Sequence, residues 1–148
     1  MRALVQVLKK VYQDFAVIYP PAEAVEVSDV YAALIQNGYG RLPADYRTFL
    51  MMTDGLFWNG LELFSTREHE RNNGAFFHRA IIQSQALFSK NTQLNKKIVL
   101  GMAPEELIVY DTVRKEYQLV DRYSYTIFVK FPSFSDILYF YIRNVVEK

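Results

Sequence analysis

A chain of 148 residues is long enough for one domain that buries roughly two-thirds of its unfolded surface, and 51% hydrophobic with 16% aromatic residues argue against disorder. Formal net charge is +1, with five basic and seven acidic side chains in residues 1–66 and twelve and nine in the rest, so the clustered basic stripe of a nucleic-acid surface is missing. Without cysteine neither a disulfide framework nor a thiolate zinc site can form, which fits a reducing compartment.

Leu4, Val5, Leu8, Val11, Tyr12 and Phe15 recur on one helical face, with Lys9, Lys10, Gln13 and Asp14 opposite. These charges interrupt any signal-peptide run, and no apolar stretch reaches the ~20 residues of a membrane span, so a cytoplasmic protein is expected. Pro20-Pro21 forces an extended exit. Ser28 or Asp29 can cap a second helix carrying Val30, Tyr31, Leu34 and Ile35, which Asn37-Gly38-Tyr39-Gly40 ends.

Arg41 to Phe64 organises the chain. Pro43 suits the first turn of a helix, Asp45 favours its dipole, and Leu42, Tyr46, Phe49, Leu50 and Thr53 give one apolar face. Asp54-Gly55 ends that helix, and Asn59-Gly60 is a turn before a strand of Leu61, Leu63 and Phe64 with one buried face, Glu62 lying between the leucines. Trp58, the single tryptophan, reads either as a buried corner residue or as an exposed anchor for a partner.

Ser65 to Arg71 is a charged stretch and Asn72-Asn73-Gly74 a turn, after which Phe76, Phe77, Ala80, Ile81, Ser84, Leu87 and Phe88 suit a helix over 75–89. Asn91 to Lys97 is a polar connection. Ile98 to Gly101 is a short strand, and Glu106–Asp111 and Glu116–Asp121 predict an antiparallel hairpin turning at 112–115. Thr126 to Phe131 is a further strand. Ser133 with Asp136 opens a last helix with Phe134, Ile137, Leu138, Tyr141, Ile142, Val145 and Val146 on its apolar stripe. Helices beside a run of strands, rather than strict alternation, mean α+β. The whole of 1–148 reads as one domain, residues 1–23 being a helical extension of it.

Chemistry is sparse. His69 and His78 lack HExxH spacing, and zinc normally needs three or four ligands. His69 reads as part of a charged surface turn and His78 as a polar-side helix residue. Nucleophile elbows, phosphate loops and dinucleotide fingerprints are absent, and Gly38-Tyr39-Gly40 has no strand before it. Glu105-Glu106, and Asp111 with Asp121, would meet across the hairpin only if the strands place them so, and solvent-facing strand-end acids are the plainer reading. Arg67, Arg71 and Arg79 make a modest basic cluster on a solvated face. No cofactor and no metal are expected.

Three segments together resemble the SUKH superfamily, which includes a fungal cell-wall-assembly regulator and many bacterial toxin-immunity proteins. LPADYRTFLMMTDG at 42–55 resembles its leucine-proline, tyrosine, phenylalanine-leucine, asparagine-glycine helix, with Asp54-Gly55 where asparagine-glycine is commoner. IVLGMAPEELIVYDT at 98–112 is similar to its glycine-bearing strand followed by a strand ending in tyrosine-aspartate. FPSFSDILYFYI at 131–142 is similar to its last helix. The Trp58-Asn59-Gly60-Leu61 corner resembles a bacterial subgroup. The resemblance implies a central, mainly antiparallel sheet flanked by helices, and protein binding without catalysis, typically to a toxin encoded nearby. The family's contact surface is not fixed by a motif. By chemistry, Phe57, Trp58, Tyr110 and Tyr123 are the candidate aromatic anchors, with Arg67 and Arg71 at the rim. The alternative is a regulatory scaffold or small-ligand binder; an enzyme would need acids converging in a pocket. The strand at 106–111 is also a candidate dimerising edge.

Overall fold

The structure, a computed structural model, describes residues 2–71 and 74–146, without the side chains of Arg71 and residues 144–146. It is an α+β fold. The first helix, α1 (Arg2–Gln13), leads to the short strand β1 (Val17–Ile18) and to α2 (Ala24–Gln36). Next come α3 (Ala44–Leu50), β2 (Leu56–Trp58), β3 (Leu61–Leu63), the hairpin β4 (His69–Arg71) and β5 (Phe76–His78), and α4 (Ile81–Phe88). A 3-10 turn (Thr92–Leu94) precedes β6 (Lys97–Met102), β7 (Glu106–Asp111), β8 (Glu116–Asp121), β9 (Ile127–Phe131) and α5 (Phe134–Val146). Seven strands form one sheet in the order β1-β2-β3-β6-β7-β8-β9, every neighbour antiparallel. Among the described residues no helix is long and apolar enough to cross a membrane.

The strongest periodicities fold as read. Leu42, Tyr46, Phe49, Leu50 and Thr53 are all buried; Pro43, read as a first-turn residue, stands one position earlier, extended, immediately before α3. The hairpin forms with Asp111 opposite Glu116 and Glu106 opposite Asp121. Asn59 and Gly60 both take positive φ between the paired Trp58 and Leu61, the backbone that a two-residue hairpin turn demands. Ser133 Oγ accepts the Asp136 N–H at 3.4 Å at the start of α5.

Other elements differ for identifiable reasons. The buried face of α1 is Leu4, Val7, Leu8 and Val11; Val5 lies outside that stripe. Phe15 falls beyond the helix end with φ 62° and is 93% exposed. The second helix starts at Ala24, not after Ser28 or Asp29, because the Glu26 carboxylate accepts the Glu23 N–H at 2.9 Å and so caps it earlier. The helix expected over 75–89 shrinks to Ile81–Phe88. Phe76, Phe77 and His78 pair with β4, since aromatic residues suit a pleated surface, and Ala80 is held extended beside Ser65. The turn expected at Asn72-Asn73 lies outside the described residues. Strand β7 sits between β6 and β8, so Glu106 to Asp111 is no edge; the sheet's edges are β1 and β9.

The core lies where the segments 42–55, 98–112 and 131–142 meet. Tyr46 Oη lies 2.6 Å from Phe64 O and 3.1 Å from Leu100 O. The Tyr46, Phe49 and Phe134 rings contact one another with centroids 5.1–5.2 Å apart. Asp45 joins them: its carboxylate accepts the Tyr117 hydroxyl and, at 2.9 Å, the Phe134 N–H. Burial and the Asp45 carboxylate raise the Tyr117 pKa, so its proton stays on and donates.

Candidate functional site

The two histidines prove to be interior residues. His69 is 8% exposed and His78 fully buried, which corrects their reading as surface and polar-side positions. They become interior because the β4–β5 hairpin brings them against Asp54, Leu63 and Tyr19. His69 Nε2 lies 2.7 Å from Asp54 Oδ2, and the Thr66 N–H and hydroxyl donate to the same carboxylate at 2.8 and 2.9 Å. Tyr19 stacks on His69 with centroids 4.3 Å apart. His78 Nε2 lies 2.6 Å from Leu63 O. Glu62, expected to face solvent between Leu61 and Leu63, is buried and accepts the Arg79 backbone N–H at 2.8 Å and its guanidinium at 2.6 Å. Arg79 is therefore tied down, and the basic cluster of Arg67, Arg71 and Arg79 loses its third member. These contacts fasten the hairpin to the sheet. Among the described residues no three metal-ligating side chains converge. An isolated pair of histidines nine residues apart carries no sequence signal for such a cluster.

The candidate anchors do not share one surface. Trp58 is 4% exposed, and its indole N–H donates to Asp14 at 2.8 Å. The corner reading holds, and Trp58 is corrected as an exposed anchor, because Asp14 after α1 closes over its polar edge. Phe57 is half-buried on β2, between β1 and β3. Arg67 is exposed and pairs with Glu26 at 3.4 Å. The Arg71 side chain lies outside the described residues. Tyr110 is half-buried at the C-terminal end of β7, ring-to-ring with Tyr117. Tyr123, 76% exposed, stands at the opposite end of the hairpin in the β8–β9 turn.

That opposite end is the best candidate for contact with a partner. The Arg122 N–H donates to Glu105 O at 2.9 Å and its guanidinium to Ala103 O at 3.3 Å, joining the β6–β7 and β8–β9 turns. A cavity of about 310 Å³ opens there, lined by Glu105, Glu106, Asp121, Ser124, Ile127 and Phe128. Partial burial, with Glu105 and Asp121 nearby, raises the Glu106 pKa. Asp121 is held below the ordinary carboxylate value by the Ser124 and Tyr123 N–H groups it accepts. Asp111 lies at the far end of the hairpin, buried and accepting the Val113 and Arg114 N–H groups, so it does not meet Asp121. Next to this acidic mouth runs β9, whose outer side pairs with no strand among the described residues. Phe128 on that strand is 61% exposed. Sequence reasoning missed Phe128 because the alternation of Ile127, Val129 and Phe131 against Phe128 and Lys130 does not say which side the helices cover.

No protein-family model matches the chain, and no curated protein matches it.

Proposed function

We propose that the chain is a non-catalytic protein-binding module, an immunity protein that neutralises a cognate bacterial toxin. The observation that carries the binding reading is the outer strand β9, which offers unpaired backbone groups and the exposed rings of Phe128 and Tyr123 beside an acidic mouth. An open edge with exposed aromatics can add a partner strand and seat anchors. The carboxylates there complement a basic face, as an enzyme acting on nucleic acid presents. The immunity role is supported by the SUKH resemblance, whose three segments pack together through Asp45, Tyr46, Leu100 and Phe134.

Co-expression with each neighbouring reading frame that is toxic alone tests this. Rescue with a stable 1:1 complex is expected, and Phe128→Asp, a change at an exposed ring, should abolish rescue while leaving the fold intact. Toxicity undiminished in every pairing would sink the immunity role and leave the scaffold or ligand-binding alternative.

A further inference from the structure

The other end of the β7–β8 hairpin carries a second cavity, of about 480 Å³, whose chemistry the immunity reading does not use. Tyr31, Arg41, Arg47, Tyr110, Thr112 and Lys115 line it. Gly40 makes its wall possible. Its φ is +116°, and a Cβ there would stand 2.6 Å from Thr112 Cγ2, so only glycine lets the α2–α3 loop lie against the β7–β8 turn. Thr112 is in turn fixed by its hydroxyl, which donates to Lys96 O at 2.7 Å. This contact brings Arg41 and Arg47 from one segment next to Lys115 from another.

The three cations are outside the ion pairs of the described residues. Among the described residues no carboxylate forms an ion pair with Arg41, Arg47 or Lys115. The nearby acids face elsewhere: Asp45 accepts from Tyr46, Tyr117 and Phe134, and Asp111 accepts from its own turn. The Arg47 guanidinium stacks 4.7 Å from the Tyr31 ring centre, and its Nε is buried without a hydrogen-bond partner. Burial, with Asp45 and Asp111 nearby, raises the Tyr110 pKa, so its hydroxyl stays a donor at neutral pH.

We propose that this pocket binds a phosphate monoester, its dianion held by Arg41, Arg47 and Lys115 and its organic part lying against Tyr110. Two guanidinium forks suit phosphate oxygens better than a single carboxylate, and three cations match a dianion. The cavity falls in the size range of small-ligand sites. This goes beyond the protein-binding reading and does not depend on it, since the cavity and the open edge lie at opposite ends of the hairpin.

Calorimetric titration of the full chain at pH 7.5, where the phosphate is doubly charged, uses phenyl phosphate, inorganic phosphate and phenol as separate probes. Phenyl phosphate should bind saturably at one site, inorganic phosphate more weakly and phenol not at all. Arg47→Gln should weaken phenyl phosphate at least about tenfold, the loss of one charge-assisted contact. Arg41→Gln and Lys115→Gln, at exposed positions, should each weaken it several-fold with an unchanged melting temperature. Absence of saturable binding overturns the site. So does unchanged affinity in the folded Arg41 and Lys115 variants. Inorganic phosphate binding as tightly as phenyl phosphate overturns the monoester.

Discussion

The two ends of the β7–β8 hairpin are opposites in charge, and they reach that state in the same way. At one end Glu105, Glu106 and Asp121 form no ion pair among the described residues, and Arg122, the basic residue beside them, donates to the Ala103 carbonyl. At the other, Arg41, Arg47 and Lys115 form no ion pair among the described residues, and Asp45 and Asp111 accept from backbone and tyrosine donors. Each end uses its counter-charge to hold the fold, and the surplus faces solvent. Six-residue strands set the two ends roughly 17 Å apart, beyond a Debye length at physiological salt. A net charge of +1 therefore conceals two surfaces of opposite sign.

The sharpest way to break this contrast is Asp45→Ala. It strands the Tyr117 hydroxyl and the Phe134 N–H, and the expected loss in urea unfolding is about 3 kcal/mol, the scale of hydrogen bonds to a charged acceptor. Gly40→Ala ranks next. Its positive φ and the approach to Thr112 should cost about 2 kcal/mol and open the basic pocket, and a second change, Thr112→Ser, should recover the steric part but not the backbone part. A double variant showing no recovery would mean that the contact is not what sets the cost. Glu105→Gln with Asp121→Asn sharpens the contrast: the phenyl phosphate affinity of the far pocket should stay within about twofold, because the charges are screened over that distance. The smallest effect belongs to Glu106→Gln. A raised carboxyl pKa in the folded state means that stability falls as pH rises through the carboxylate range. Removing the charge should lift the melting temperature at pH 7 by roughly 1–2 °C, allowing for solvent screening, with no difference at pH 3.

Elements with a strict period were legible in the sequence, and polar burial was not. The face of α3 and the core of α5 follow from spacing because one side of each is apolar, and the β7–β8 hairpin from two short apolar runs that are buried on both faces of the sheet. The β4–β5 hairpin was missed since Phe76 and Phe77 count as apolar positions in either period, and what decides is their pairing with residues 69–71. His69, His78 and Glu62 were misplaced for a related reason. A polar side chain is expected outside unless its partner is known, and Asp54, Leu63 O and Arg79 are brought to them only by the tertiary fold. Of the candidate contact residues, Tyr123 is exposed at the acidic end and Tyr110 lines the basic pocket. Arg47 reads from the sequence only as part of the organising helix, and its stacking on Tyr31, with no hydrogen bond to Nε among the described residues, is visible only in three dimensions.

The last helix takes its opening hydrogen bond from far away. The Phe134 N–H has no acceptor in its own turn and finds one on Asp45, 89 residues earlier in the chain. The start of α5 therefore joins a local contact, Ser133 Oγ with the Asp136 N–H, to one that only the tertiary fold supplies. Its first turn should gain amide-exchange protection only after α3 has docked on the sheet, which makes α5 a late closing element of folding. In pulse-labelling exchange, protection of α5 before α3 would refute that order.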